Sequence, residues 1–496
     1  MAWPLSVLLG VVCLGVTGCT PGGVRAQAVE RPNIVLILAD DLGYGDIGAF
    51  GGEIIQTPHI DRLAETGVRF TQGYVSHPVC SPSRAGLITG RYQQRHGWEF
   101  NPAGRDAEAG MSLDERTIAD ELKALGYATG MVGKWHLGKQ RPYQPMSRGF
   151  DEYFGVLDGG SSFIDPSLPG NEYAPIRGEG PPPVRHNKQR GFEPVEVDGY
   201  LTDVFTDEAV GFIERQAEVD APFFLYLAHT TPHTPLQATT NYLEPYAHLD
   251  SQPMRVYAAM VASLDESVRR VMETLEATGQ ADNTLVVFLS DNGCAGYVLN
   301  ACSNGPFAGF KRYHQEGGVR VPFVMRWPEG MPAGETYALP VSALDLMATF
   351  TAAAGGAVAT EDSVDLRPFV NGQVDEPPHE YLFWRAGPTV AVRDDRWKLI
   401  RYNRTELGAA DLDRTGRLTP PPGGWPSGSP HGQLTLLFDL DADPSETDNL
   451  ATQNPDIVER LSAAVAAWSA ELGQPIQPAV RSTLAEFDGE VVQLVF

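Results

Sequence analysis

Asn33-Ile34-Val35-Leu36-Ile37-Leu38 runs, after one more residue, into Asp40-Asp41. An unbroken apolar, branched run of this length fits a strand buried on both faces, as in a parallel sheet. Comparable runs recur at residues 128–132, 223–228 and 284–289, the last ending at Ser290-Asp291-Asn292. Helical segments lie between them. Thr57-Pro58-His59-Ile60-Asp61 offers an N-cap with proline in the first turn, and Gly67 stops the helix. Ser112-Leu113-Asp114-Glu115 reads as a capping box for a helix ending near Gly126. Residues 254–277 read as a long amphipathic helix. Strands alternating with helices predict an α/β fold, a large mostly parallel sheet sandwiched by helices.

This pattern sets the expected domain organisation. Residues 31–360 form the α/β domain. Within it, residues 158–200 lack periodicity, with Gly159-Gly160-Ser161-Ser162 and Gly180-Pro181-Pro182-Pro183; an irregular insert of this length is either a loop that shapes the site or decoration. Residues 361–475 predict a smaller C-terminal α+β domain, with short strands at 381–385, 390–393, 397–402 and 434–440 and a helix at 455–472. Residues 476–496 read as a tail. At the other end, residues 5–16 are an apolar run too short for a membrane span and suited to a signal peptide over 1–19. Val16-Thr17-Gly18-Cys19 resembles a bacterial lipobox, with lipid on Cys19; Met1-Ala2-Trp3-Pro4 carries no Lys or Arg, and ordinary secretion is the alternative. Residues 20–30 would be a linker. The expectation is an exported protein, periplasmic or on the cell surface, touching membrane only through a lipid anchor.

The 496-residue chain carries a formal net charge of −26. That field opposes nucleic acid and anionic membrane surfaces as partners. An anionic substrate would need cations gathered locally. There are six lysines, at 123, 134, 139, 188, 311 and 398. Beyond the leader only Cys80, Cys294 and Cys302 remain; Cys294 and Cys302 could pair in an oxidising compartment or stay as thiols.

Four constellations carry chemistry. Asp40-Asp41 ends one buried strand and Asp291-Asn292-Gly293 another. Ligands of open parallel sheets lie beyond the carboxyl ends of the strands. Three carboxylates and an amide oxygen there make a hard oxygen site, suited to Ca²⁺ or Mg²⁺ rather than zinc. Cys80-Ser81-Pro82-Ser83-Arg84-Ala85-Gly86-Leu87-Ile88-Thr89-Gly90 fixes six identities in eleven positions as C-x-P-S-R-x-x-x-x-T-G. Gly133-Lys134-Trp135-His136-Leu137-Gly138 places Lys134 and His136 two apart, on one side of an extended chain, with Trp135 opposite. Pro232-His233-Thr234-Pro235 follows a strand, with His229 as a competing histidine, and Lys311 lies five residues before Glu316-Gly317-Gly318-Val319-Arg320.

Together these motifs resemble the type I formylglycine-dependent sulfatases of the alkaline phosphatase superfamily. The resemblance runs from about Asn33 to Leu450. It implies that a formylglycine-generating enzyme oxidises Cys80 to 3-oxoalanine, that Arg84 holds this group, and that Asp40, Asp41, Asp291 and Asn292, with position 80, hold Ca²⁺ in preference to Mg²⁺. It further implies a mechanism. One hydroxyl of the aldehyde hydrate attacks sulfur in line, Lys134 and Lys311 stabilise the transferring group, and His233 protonates the leaving oxygen. His136 then deprotonates the remaining hydroxyl, which expels sulfate and restores the aldehyde. The family pattern favours His233 over His229. The implied activity is hydrolysis of a sulfuric ester, with a sulfated carbohydrate preferred as substrate. The alternatives are a phosphomonoester or phosphonate hydrolase on the same scaffold, a transferase using the same intermediate, and a catalytically dead lipoprotein that binds sulfated glycans. Trp98, Asn101, Arg185 and His186 are candidate substrate contacts.

Overall fold

A computed structural model of the chain describes Met1 and residues 31–102, 109–176, 180–298, 300–358, 360–407, 431–476, 479 and 481–496. The expected signal peptide, the linker and Cys19 lie outside the described residues. Residues 31–496 form one compact unit.

The first strand is Asn33–Ala39, and it lies near the middle of a ten-stranded sheet. Its neighbours are Thr284–Ser290 and Phe223–Ala228; Ala128–Lys134 and then Glu152–Val156 continue beyond the latter, all parallel. Antiparallel strands flank these five, with Phe323–Arg326 on one side and Lys188–Arg190 on the other. The sheet is therefore parallel at its centre and mixed at its edges. Strand alternation decides which side chains go where. Ile34, Leu36 and Leu38 enter one hydrophobic core, Val35, Ile37 and Ala39 the other, and all six are fully buried. Burying a side chain the size of Val, Leu or Ile contributes about 1.5–3 kcal/mol, so a polar residue anywhere along this strand would be strongly disfavoured. Helices Pro58–Glu65, Leu201–Ala217 and Gln252–Ala277 cover one face. Helices Cys80–Thr89, Ile118–Ala124 and Leu346–Ala353 cover the other.

The register lines up the chemistry. Ala39 pairs with Ser290, so Asp40 and Asp291 leave the sheet side by side. Leu38 and Gly133 both pair with Ala228, which brings the end of the Ala128–Lys134 strand to the same edge. Gly133 is required there. Its φ is +113°, and a Cβ would sit 1.9 Å from the Ala228 carbonyl oxygen.

On the face covered by Cys80–Thr89 lies a second sheet, of six antiparallel strands. It contains Leu382–Ala386, Thr389–Arg393, Trp397–Arg404 and Gln433–Asp439, with helix Pro455–Ala470 against it. Three expectations are corrected. Residues 476–496 are not a tail: Ser482–Phe487 and Glu490–Val495 form a hairpin that pairs with Trp397–Arg404. Asp488-Gly489 turns it with positive φ at both residues, and Asp-Gly between apolar runs was the available signal. The insert over 158–200 is not wholly irregular, since Lys188–Arg190 and Glu193–Pro194 extend the large sheet and Asn171–Ala174 pairs with Leu236–Thr239. The capping box sits at Thr117 and Asp120, not at Ser112 and Glu115. The guanidinium of Arg148 donates to the carbonyls of Met111, Ser112 and Glu115, which holds that segment in a turn, while the Thr117 hydroxyl donates to the Arg148 carbonyl. Cys294 and Cys302 are joined by a disulfide.

Candidate active site

Cys80 is the first residue of helix Cys80–Thr89, so its Sγ stands at the helix N-terminus, where the macrodipole favours negative charge. Around it the strand ends converge. The Asp40 and Asp41 carboxylates lie 3.5 and 3.6 Å from Sγ, and Lys311 Nζ lies 2.9 Å away. Lys134 Nζ donates to Asp40 at 2.7 Å, and Lys311 Nζ donates to both Asp41 oxygens at 2.6 and 2.8 Å. Asp40, Asp41, Asp291, Lys134 and Arg84 are all no more than 2 % exposed. Charges this deeply buried persist only when they are paired.

Arg84 is held between two strand ends. Its Nε donates to Asp291 at 2.8 Å and its Nη1 to the Lys134 carbonyl at 3.0 Å, while Nη2 lies 2.8 Å from Asp291 and 3.7 Å from Asp40. Arg84 thus ties the Asp291 strand end to the Lys134 strand end.

The histidines separate cleanly. His229 points into the core, where its Nε2 meets the Ser267 hydroxyl at 2.9 Å. The Nδ1–H of His233 donates to the Thr234 carbonyl at 2.7 Å, which leaves Nε2 facing Asp41 at 3.6 Å. His136 has φ +63° and lines the cavity above Cys80, and its Nδ1 is buried without a partner. Burial first, then Lys134 and Arg84, hold its pKa well below the ordinary imidazole value, so it stands as a neutral base. Burial also lowers His233, against the pull of Asp40 and Asp41. The Cys80 thiol is pushed far up by burial, with Asp291 adding to the effect and Lys134 and Lys311 opposing it. Burial raises Asp40 against Lys134, whereas for Asp41 burial is outweighed by Lys311, His233 and Lys134 together and the carboxyl lies well below its usual range.

The expected cation ligands come together in part. Asp40, Asp41, Cys80 and His233 offer ligand atoms within 4.8 Å of one another. Asp291 is held by Arg84 and by the Asp41 backbone N–H at 3.1 Å. Asn292 Nδ2 donates to Asp41 at 2.8 Å and to the Gly293 carbonyl at 2.9 Å, which fixes its orientation and leaves its buried Oδ1 without a partner. Three buried carboxylates beside an unsatisfied amide oxygen fit a hard divalent cation.

This centre is the floor of a cavity of about 830 Å³, a size suited to a sugar-scale ligand. Asn101 and Arg185 line it, as expected. Trp98 and His186 do not. Trp98 is 2 % exposed and its Nε1 donates to the Ser81 hydroxyl, and His186 pairs with Glu196 on the surface. Ser81 in turn donates to the His136 carbonyl at 2.6 Å, so Trp98 braces the catalytic helix from behind. The sequence reading missed Tyr297, whose hydroxyl reaches Asp41 at 3.4 Å, and Arg312, Arg481 and Phe496 on the cavity wall. Tyr297 lies inside the Cys294–Cys302 loop, and Arg481 and Phe496 flank the C-terminal hairpin, so no local motif marks any of them.

The family described as Sulfatase matches residues 32–357. The chain belongs to the sulfatase family. It is similar to N-acetylgalactosamine-6-sulfatase of Canis lupus familiaris, with 33% identity covering 95% of this chain and 91% of the relative. It is also 33% identical to arylsulfatase G of Rattus norvegicus, covering 87% of this chain and 85% of that one. Among solved structures, Ps i-CgsB in complex with k-i-k-neocarrahexaose superposes with a TM-score of 0.77 at 34% identity, covering 90% of this chain and 95% of that one. This sulfatase is accordingly an enzyme with the sulfatase fold, and its cavity floor carries the motif residues.

Proposed function

We propose that this sulfatase hydrolyses sulfate esters of a carbohydrate, using a formylglycine made from Cys80 and a Ca²⁺ ion held by Asp40, Asp41, Asp291 and Asn292. One observation carries the reading. Cys80, His136, His233 and Lys311 line the floor of one sugar-sized cavity, with Lys134 and three carboxylates immediately beneath. The relatives support the substrate class, since one is named for N-acetylgalactosamine-6-sulfate chemistry and one is bound to neocarrahexaose. When bound, the cation would polarise the sulfate, and the aldehyde hydrate at position 80 would supply a nucleophilic hydroxyl beside a second one that drives release.

The chain's own groups do the rest. Lys311 at the cavity floor and Lys134 beneath it stabilise the charge that develops on the transferring group, in general the largest catalytic contribution. His233 Nε2, oriented by its Nδ1–H bond to Thr234, delivers a proton to the leaving sugar oxygen from the imidazolium form that Asp40 and Asp41 favour against burial. His136, kept neutral, accepts a proton from position 80. Arg84 fixes Asp291 and the backbone of Lys134. The export signal and lipobox would place the enzyme outside the cytoplasm, where sulfated glycans are met.

The test is a screen of defined sulfated mono- and oligosaccharides with sulfate release as readout, alongside mass spectrometry of the peptide containing Cys80. Release from at least one saccharide by protein carrying the aldehyde is expected. Full activity in protein whose residue 80 is only cysteine would refute the formylglycine assignment.

A further inference from the structure

Two glycines lie against the two histidines of the cavity floor. Strands Ala128–Lys134 and Glu152–Val156 run parallel, with Lys134 opposite Val156. The pairing continues past their ends, since the N–H groups of Trp135 and His136 donate to the Val156 and Leu157 carbonyls at 2.9 and 3.2 Å. The chain after Leu157 is thereby carried across His136, and Gly159 and Gly160 line one cavity with His136 and His233. This segment is clamped from the far limb of the insert. The Gly160 carbonyl accepts from Arg185 Nη1 and from Asn187 Nδ2, each at 3.2 Å. Asn187 Nδ2 also donates to Asp158 at 3.2 Å, and its Oδ1 accepts from the Ser161 hydroxyl at 2.7 Å. Lys139 pairs with Asp158.

The two glycines are not equivalent. Neither is among the glycines with positive φ, so the backbone tolerates alanine at both. A Cβ at Gly160 would meet the His233 ring at 3.7 Å, an ordinary contact. A Cβ at Gly159 would stand 2.6 Å from His136 Nε2 and 2.7 Å from its Cε1. Such atoms rest comfortably at about 3.5–4.0 Å, so one methyl group there pushes the imidazole away by roughly 1 Å. His136 has little room to give, being 9 % exposed with φ +63°. The missing side chain at 159 thus defines where the His136 ring stands.

We propose that Gly159 is a positioning residue for the second half of the reaction: by lacking a side chain it lets His136 serve position 80, and Asn187 holds it in place. The inference rests on the role given to His136 above. In that step His136 takes the proton of the remaining hydroxyl at position 80. The oxygen's electrons close the aldehyde C=O as the bond from that carbon to the sulfate oxygen breaks, and sulfate leaves with the bonding pair. Attack on sulfur and departure of the sugar come earlier and do not use His136.

The test compares Gly159→Ala, Gly160→Ala and wild-type enzyme, all carrying the aldehyde, on the sulfated saccharides of the screen above. Gly159→Ala should lower kcat about 10–100-fold, the cost of misplacing a reacting group by such a distance. KM should fall with it and leave kcat/KM within a few-fold of the wild type, because the early steps are spared. Rapid quenching should show a burst of desulfated sugar, and mass spectrometry a sulfated residue 80. A crystal structure of the variant should show the His136 ring displaced, also in protein whose residue 80 is left as cysteine. Gly160→Ala should accumulate no sulfated enzyme beyond the wild type. Asn187→Ala adds no atom and frees the segment; it should give a weaker form of the Gly159→Ala defect, and it carries the test if that variant does not fold. An unmoved ring with wild-type kcat in Gly159→Ala, or equal accumulation in both glycine variants, would overturn the inference while leaving the sulfatase reading intact. A displaced ring without sulfated enzyme would overturn the role given to His136 and the inference with it.

Discussion

The cluster of Asp40, Asp41 and Asp291 with Arg84, Lys134 and Lys311 and the cluster of Glu316 and Glu446 with Lys398 are built from the same groups, but the first forms the floor of a cavity while the second packs against the C-terminal sheet. Each buries its carboxylates almost completely. In the second, Lys398 Nζ donates to Glu316 at 2.8 Å and lies 3.2 Å from Glu446, while the Tyr74 hydroxyl donates to Glu316 at 2.6 Å and Arg320 does so at 3.1 Å. The Trp384 ring lies 5.6 Å from that ammonium. Glu316, Lys398 and Glu446 come from the Glu316–Val319 helix, the C-terminal sheet and the segment after its strand Gln433–Asp439, so the cluster ties that helix to the C-terminal sheet. The first cluster keeps polar atoms in reserve at its open side, Asn292 Oδ1 and His136 Nδ1. The second keeps one as well, Glu446 Oε1, but holds it in the interior. Burial of charge is therefore not in itself a mark of catalysis; what separates the two is access.

The largest expected effect would break the first cluster. Cys80→Ala should lower sulfate release on the order of 10⁴-fold or more, as loss of a nucleophile does. Lys134→Ala should cost about 10²–10³-fold in kcat, and it leaves Asp40 buried without its ammonium. A Lys134→Ala enzyme with wild-type kcat would remove Lys134 from the catalytic set.

Lys398→Met tests the other half of the comparison. Removing one partner of a buried ionic cluster costs about 3–5 kcal/mol. Chemical denaturation should show that loss, while kcat per folded molecule stays within a few-fold of the wild type. A large fall in kcat with unchanged stability would mean that the two clusters are one functional unit.

Between these extremes lies the disulfide. Cys294 and Cys302 are eight residues apart, and closing a loop of that size contributes about 2–3 kcal/mol in the chain-entropy account. The Cys294 carbonyl also accepts the Lys311 N–H at 2.9 Å. The double serine variant should lose that stability and show a moderately raised KM, because Tyr297 and Lys311 are both tied to the loop. An unchanged thermal midpoint would show that the bridge is idle.

How much of this was legible in the sequence follows the same division. The first cluster sits at the ends of strands whose apolar runs are unmistakable, and its residues lie within short motifs, so the centre and the parallel core could be read directly. The second joins Glu316, Lys398 and Glu446, with Lys398 and Glu446 lying 82 and 130 residues from Glu316 along the chain and a motif at Glu316 alone; only the packing of the C-terminal sheet against the rest of the fold brings them together. The misplaced capping box fails for the same reason. Ser112-x-x-Glu115 and Thr117-x-x-Asp120 are equivalent locally, and a distant side chain, Arg148, decides between them. Arg312 and Phe496 were invisible because the wall they build is assembled across the fold.

The smallest effect concerns pH, and it separates the two carboxylates of the second cluster, Glu446 and Glu316, by the sign of their slopes. Burial first, with Glu316 adding and Lys398 opposing, raises Glu446 from the ordinary carboxyl range to about 7. Burial pushes Glu316 upward as well, but Lys398 and two arginines together outweigh it and bring the group to about 2. Between about pH 4.5 and 7 the folded protein therefore holds a proton on Glu446 that the unfolded chain has released. The stability this contributes is complete below the unfolded value and is lost as pH rises through about 7. The contribution of Glu316 is present above its unfolded value and lost only as pH falls toward 2. Glu446→Gln keeps an acceptor for the Glu316 N–H, which Glu446 now receives at 2.6 Å, and it removes the titration. The variant's stability should fall less steeply than the wild type's between pH 5 and 7, by at most one proton's worth of slope, about 1.4 kcal/mol per pH unit. Asp46 and Asp265, also raised to about 7 by burial, contribute to both curves, so the difference between them isolates Glu446. Parallel curves for the two proteins would show that Glu446 is already ionised in the folded state.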